Sequence, residues 1–159
     1  MKKLLSIIVV VLCFVSCSSD DDSDKPLSFT QSEKVLLETF TGTFLGEYYS
    51  LGVLYDKEEI TFTPYTAPKE VVSLFGTFNV AGTATIETNS TITPLKNYYF
   101  VFSKTKGGTN TLSFYQYDIS SGEVVNNQDE RVYTIISKNA FKMRNYGLSE
   151  ENDVEFTRK

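Results

Sequence analysis

The sequence predicts an all-β domain, an antiparallel up-and-down β-barrel of about eight strands with one short N-terminal helix. Three observations carry this. Thr, Val, Ile, Tyr and Phe dominate from Leu27 onward, and 21 of the 22 aromatic residues lie after the N-terminal apolar segment. Apolar and alternating runs are separated by short Gly-, Ser- and Asn-containing stretches, which imply antiparallel neighbours. No helical pattern of ~10 residues separates successive strands, so a parallel βαβ sheet is not expected. A two-sheet β-sandwich fits the same strand count, but a closed barrel has the advantage of leaving no open edge.

Residues 1–16 read as a lipoprotein signal peptide. Lys2 and Lys3 precede an apolar run of 12 residues from Leu4 to Val15. At ~1.5 Å per residue the run spans ~18 Å against a hydrocarbon core of ~30 Å, too short for an ordinary membrane span. Phe14-Val15-Ser16-Cys17 resembles the lipobox of bacterial lipoproteins. The resemblance implies that Cys17 is acylated, with palmitate-type chains, and becomes the new N-terminus. Buried acyl carbons contribute about 0.8 kcal/mol each, and stable anchoring takes more than one chain. Without the resemblance, Cys17 reads as an incidental thiol behind an ordinary signal peptide.

Residues 17–26 read as an acidic Ser/Asp tether. Ser18-Ser19-Asp20-Asp21-Asp22-Ser23-Asp24-Lys25 has no apolar face to bury. A Ser/Asp run directly after a lipidated Cys looks like the surface-export signal of Bacteroidota lipoproteins, which implies display on the outer membrane. Asp20, Asp22 and Asp24 also imitate the start of a calcium loop. That loop needs Gly where Lys25 stands and Glu where Gln31 stands, so no metal is expected there.

The remaining chain, residues 27–159, is one domain of 133 residues, enough for a sizeable core. Thr30 and Glu33 form a capping-box pair ahead of Lys34-Val35-Leu36-Leu37-Glu38, which predicts the short helix. Strands are expected near Phe40–Tyr49, Glu58–Pro64, Val71–Val80, Thr83–Thr88, Tyr98–Ser103, Thr111–Ile119, Arg131–Ser137, Phe141–Tyr146 and Val154–Arg158. Gly82, Lys106-Gly107-Gly108-Thr109, Ser120-Ser121-Gly122 and Lys138-Asn139 punctuate them, and 147–152 is a polar loop.

Two strands carry candidate pocket residues. In Leu112-Ser113-Phe114-Tyr115-Gln116-Tyr117, one face presents Leu112, Phe114 and Gln116, the other Ser113, Tyr115 and Tyr117. Tyr98 to Phe102 is apolar or aromatic on both faces, so it is covered on both sides or faces a cavity on one. Plain core packing accounts for this. A ligand-lined lumen accounts for it too, with Ser113, Tyr115 and Tyr117, or Tyr99 and Val101, as the ligand-binding candidates.

Thr41-Gly42-Thr43-Phe44 near the start is followed by a string of hairpins. The run Tyr133 to Met143 then leads through a polar loop to Val154-Glu155-Phe156-Thr157-Arg158. With the signal and tether, this order resembles the lipocalin-like surface lipoproteins of Bacteroidota over about residues 40–158. Phe44 stands where that family usually has Trp. The resemblance implies a lipocalin-like up-and-down barrel, an internal pocket and a binding role with no named ligand. Fold alone does not fix function.

Composition excludes several chemistries. The chain has no His and two Cys, so no Ser-His-Asp or Cys-His pair and no imidazole metal ligand can form. Loss of Lys2 and Lys3 takes the formal net charge from −5 to −7. Residues 27–159 keep 16 acidic and 12 basic groups, without the basic patch that a nucleic-acid partner requires. Glu58 and Glu59 are adjacent on a strand and point to opposite faces, so they cannot flank one bond. Glu150-Glu151 reads as solubilising loop charge, and Asn89-Ser90-Thr91 matches a sequon that means nothing if, as the lipobox resemblance implies, the source is a bacterium. No cofactor and no enzymatic activity are expected. The leading expectation is a lipid-anchored binding protein holding a small apolar or amphipathic ligand in the barrel. The alternative is a protein–protein interaction module: an inhibitor, an immunity lipoprotein or an accessory subunit of a surface complex. Tyr65 to Lys69 and Val124 to Arg131 would then be its contact loops.

Overall fold

The computed structural model describes residues 30–65, 70–73, 76–89 and 95–159. The signal peptide, Cys17, the tether, positions 66–69 and most of the sequon lie outside the described residues.

Helix α1 (Gln31–Thr39) starts where the capping box requires. Thr30 Oγ1 accepts from Glu33 N at 3.2 Å, and Thr30 N donates back to Glu33 Oε2 at 2.7 Å. Ten strands follow: β1 (Gly42–Ser50), β2 (Val53–Pro64), β3 (Glu70–Ser73), β4 (Gly76–Asn79), β5 (Gly82–Thr88), β6 (Lys96–Lys104), β7 (Asn110–Tyr117), β8 (Val124–Ser137), β9 (Ala140–Asn145) and β10 (Val154–Arg158). Eight of them close into an antiparallel barrel in the order β1, β2, β5, β6, β7, β8, β9, β10 and back to β1. The sandwich alternative is thereby excluded. β3 and β4 form a separate two-stranded hairpin between β2 and β5.

Which face points inward follows from contacts across the ring. The Phe62 ring on β2 lies 6.1 Å from Phe114 on β7 and 6.2 Å from Phe141 on β9. Each of those strands is three places away around the wall, so these rings meet through the interior. Inward columns on four of the strands change character along their length. Phe44, Gly46 and Tyr48 follow one another on β1; Phe62, Ile60 and Glu58 on β2; Phe102, Phe100 and Tyr98 on β6; Tyr133, Arg131 and Asp129 on β8. One pole is packed with Phe and the other carries polar groups.

Helix α1 seals the apolar pole. Leu37 and Phe40 are fully buried, and the Phe40 ring touches Phe62, Phe102, Tyr133 and Phe141 at centroid distances of 4.6–5.4 Å. Each such ring pair adds about 0.5–1.5 kcal/mol beyond the area it buries. Arg158 on β10 locks the seal. Its guanidinium sits 4.7 Å over the Phe44 ring and donates to Thr39 O and Lys138 O at 3.0 Å, and to Thr41 O. It thus ties the helix end, the β8–β9 turn and β1 together.

Three expected boundaries shift. The stretch Val71–Val80 is not one strand, because the chain turns back between β3 and β4. β2 begins at Val53, directly after a two-residue turn at Leu51-Gly52. β8 begins at Val124, so the expected 124–131 contact loop is instead strand paired with β7.

Candidate functional site

The polar pole is open, and a cavity of about 590 Å³ occupies it. That lies within the usual range of ~300–1,000 Å³ for small-molecule sites. The cavity is built on strand ends, which hold their side chains in a fixed register, and is bordered by the β1–β2 hairpin and the β9–β10 loop.

Its floor is a buried ion pair. Glu58 is 4% exposed although charged, because β2 places it on the inward column after Phe62 and Ile60. Burying a carboxylate requires a partner, and Arg131 on β8 supplies it. Arg131 Nη1 donates to Glu58 Oε2 at 2.9 Å, and Nη2 lies 2.8 Å from Oε1. Arg131 Nε and Nη2 also donate to Asp129 Oδ2 at 3.1 and 2.8 Å. The guanidinium carbon stands 5.3 Å over the Phe114 ring, where the polar floor meets the Phe-packed pole. Tyr48 Oη completes the set by donating to Glu58 Oε2 at 2.5 Å.

The electrostatics follow from this packing. Burial opposes the Arg131 charge, but the Glu58 and Asp129 carboxylates outweigh it and hold the guanidinium above its ordinary range. Burial, then the neighbouring Glu58 charge, pushes the Tyr48 hydroxyl far up. Tyr98 is raised by burial and then by Asp129. The floor is therefore a fixed donor–acceptor network.

The walls are mixed. Tyr48 and Tyr55 stand 6.2 Å apart with their rings at 59°. Met143, Val154 and Leu148 give apolar surface. Arg144 Nη1 donates to Asp153 Oδ1 at 2.6 Å and its Nε to Leu148 O at 3.0 Å, which braces the β9–β10 loop. At the rim, Lys57 pairs with Glu47 at 2.6 Å and lowers the pKa of that carboxyl.

The sequence-predicted candidates lie elsewhere. Tyr99, Val101, Ser113, Tyr115 and Tyr117 occupy the outer face of β6 and β7, one residue out of phase with Phe100, Leu112 and Phe114. Tyr99, Val101 and Tyr115 pack with Val71 and Val80 beneath the β3–β4 hairpin. Tyr99 stacks on Tyr117 at 4.1 Å and donates to Gly122 O at 2.8 Å. As lumen lining this set is replaced by the opposite face, because the hairpin gives β6 and β7 a second apolar cover outside the barrel. Tyr117 does border a shallow outer cleft of about 470 Å³ with Leu95, Ile119 and Val125. The residues missed were Tyr48, Glu58 and Arg131. The available signal was a charge in phase with buried residues: Glu58 with Ile60 and Phe62, Arg131 with Tyr133.

Glu59 points away from Glu58 and pairs at the surface with Lys159, as adjacent strand residues must. Among the described residues no group of three or more acidic or Cys side chains could hold a metal ion, and no helix is long and apolar enough to cross a membrane. The chain matches no protein-family model, no curated protein and no solved structure.

Proposed function

We propose that this chain is a lipid-anchored envelope binding protein that holds a small amphipathic ligand in the open pole of its barrel. In this reading Cys17 carries the lipid, residues 17–26 are the tether, and the domain stands on the outer membrane facing outward, in the manner of the lipocalin-like lipoproteins it resembles. One observation carries the binding role. The inward columns are Phe-packed at one pole, then turn polar and leave about 590 Å³ open above a buried Glu58–Arg131 pair. A barrel serving only as a spacer has no need of a charged floor, since an apolar fill of similar volume is as stable or more so.

The test is native mass spectrometry of the purified protein after exposure to a lipid extract of the source membrane. One retained small molecule per chain is expected, and its loss in a Tyr48→Ala variant. Clean, empty protein overturns the reading. The anchor has a separate test: a clickable fatty-acid analogue should label the wild type and not Cys17→Ala.

A second reading has its own observation. Tyr49, Leu51, Val53 and Tyr55 stand exposed on the β1–β2 tip, and Tyr146 and Leu148 on the β9–β10 loop. Such apolar tips suit a protein partner docked on the mouth. Saturable binding of one macromolecule, abolished by Leu51→Asp with Val53→Asp and indifferent to Tyr48→Ala, would favour it.

A further inference from the structure

We infer that the mouth cavity selects amphiphiles with a cationic ammonium head over neutral or anionic ones of equal chain length. The inference rests on the cavity being a ligand site. Six carboxylates and two guanidiniums border it. Both guanidiniums are already paired with carboxylates of the chain. Arg131 is engaged by Glu58 and Asp129, and Arg144 by Asp153 and the Leu148 carbonyl.

The acidic side is different. Asp56 and Glu151 border the same cavity and make no ion pair among the described residues, whereas Glu155 alternates with the inward Val154 and Phe156 and lies opposite Lys142 on the outer face. The aromatic corner of Tyr48 and Tyr55 adds two π-faces of negative potential within the same wall. An ammonium head meets attraction from both kinds of group. A sulfate or carboxylate head meets carboxylates whose neighbouring cations are already occupied. A neutral head gains only hydrogen bonds. The hydrocarbon tail lies against Met143, Val154 and Leu148.

The experiment compares octyltrimethylammonium, octyl glucoside and octyl sulfate below their micelle concentrations by titration calorimetry. It uses the full chain carrying Cys17→Ala. The ammonium should bind at least about tenfold more tightly than the other two. Asp56→Asn with Glu151→Gln should remove most of that preference. Glu38→Gln with Glu123→Gln changes the net charge equally, away from the cavity, and should leave it intact. Equal affinity for all three amphiphiles overturns the head-group inference and leaves the pocket reading standing. Preference for the sulfate, or equal loss in the control variant, also overturns it. No binding of any amphiphile overturns both. Circular dichroism and melting curves identify any variant that has failed to fold, and the single Asp56→Asn or Glu151→Gln variant then serves in place of the affected pair.

Discussion

Leu51 sits at φ 51° and is fully exposed at the tip of the β1–β2 hairpin. With Gly52 at φ 79° it forms the two-residue turn that matches strand twist, a position favouring Asn, Asp or Gly. A left-handed Leu costs roughly 1–2 kcal/mol. Leu51→Asn should therefore stabilise the protein by about 1 kcal/mol and raise Tm by a few degrees, read by thermal unfolding. Glu58 and Arg131 pose the opposite case. Arg131→Met leaves the Glu58 charge buried without its partner and should cost about 3–5 kcal/mol in urea titrations, whereas Glu58→Gln with Arg131→Met should recover most of that loss. Both features hid in the sequence for physical reasons. Leu-Gly is not turn chemistry, so the start of β2 was unmarked. The Glu58–Arg131 contact joins residues 73 apart, which local periodicity does not report.

At the scale of elements, local rules were legible and their tertiary use was not. Thr30 and Glu33 gave away the helix start, and Lys138-Asn139 the tight β8–β9 turn. What α1 packs against could not be read, since a periodic apolar face does not name its neighbour. Phe40 follows the helix directly and inserts four ring contacts into the barrel. Phe40→Ala should cost about 3–5 kcal/mol by transfer loss and an unfilled cavity. Gly46 shows a tighter constraint on β1. A Cβ there would come within 2.5 Å of the buried Phe156 ring, which itself stacks on Phe141 at 5.4 Å. Gly46→Ala should destabilise by about 1–3 kcal/mol in the same assay. The first half of β8 read as a loop because 126–129 is polar and poor in β-formers. Pairing with β7 overrode that weak local preference. The β3–β4 hairpin explains the two-sided apolar character of Tyr98 to Phe102, half facing the lumen and half the hairpin.

For the whole molecule, composition and short connections sufficed for the fold class, because each barrel strand pairs with its sequence neighbour or, across the inserted hairpin, with the next strand after it. Closure was expected because a barrel leaves no open edge, but the seam that makes it, β1 with β10, joins the two ends of the described domain and has no local signal. The absence of His removes the side chain whose unperturbed titration falls between about pH 5 and 8. Tyrosines set the alkaline limit. Burial pushes Tyr133 up to about 12 and raises Tyr99, and Tyr48 and Tyr98 are raised as well. Unfolded tyrosine loses its proton near pH ~10 while the folded chain still holds it, so the unfolded state binds fewer protons there and stability falls as pH rises. The stabilisation is complete below about pH 10 and declines towards 12, a fall that Tyr133→Phe should lessen in denaturant titrations across that window. The position of α1 has a further consequence. Because the helix lies over the Phe-filled base, whatever is fastened upstream of Thr30 grips the barrel from beneath. In the proposed reading, attachment and solute exchange then fall at opposite ends, and neither process need interrupt the other.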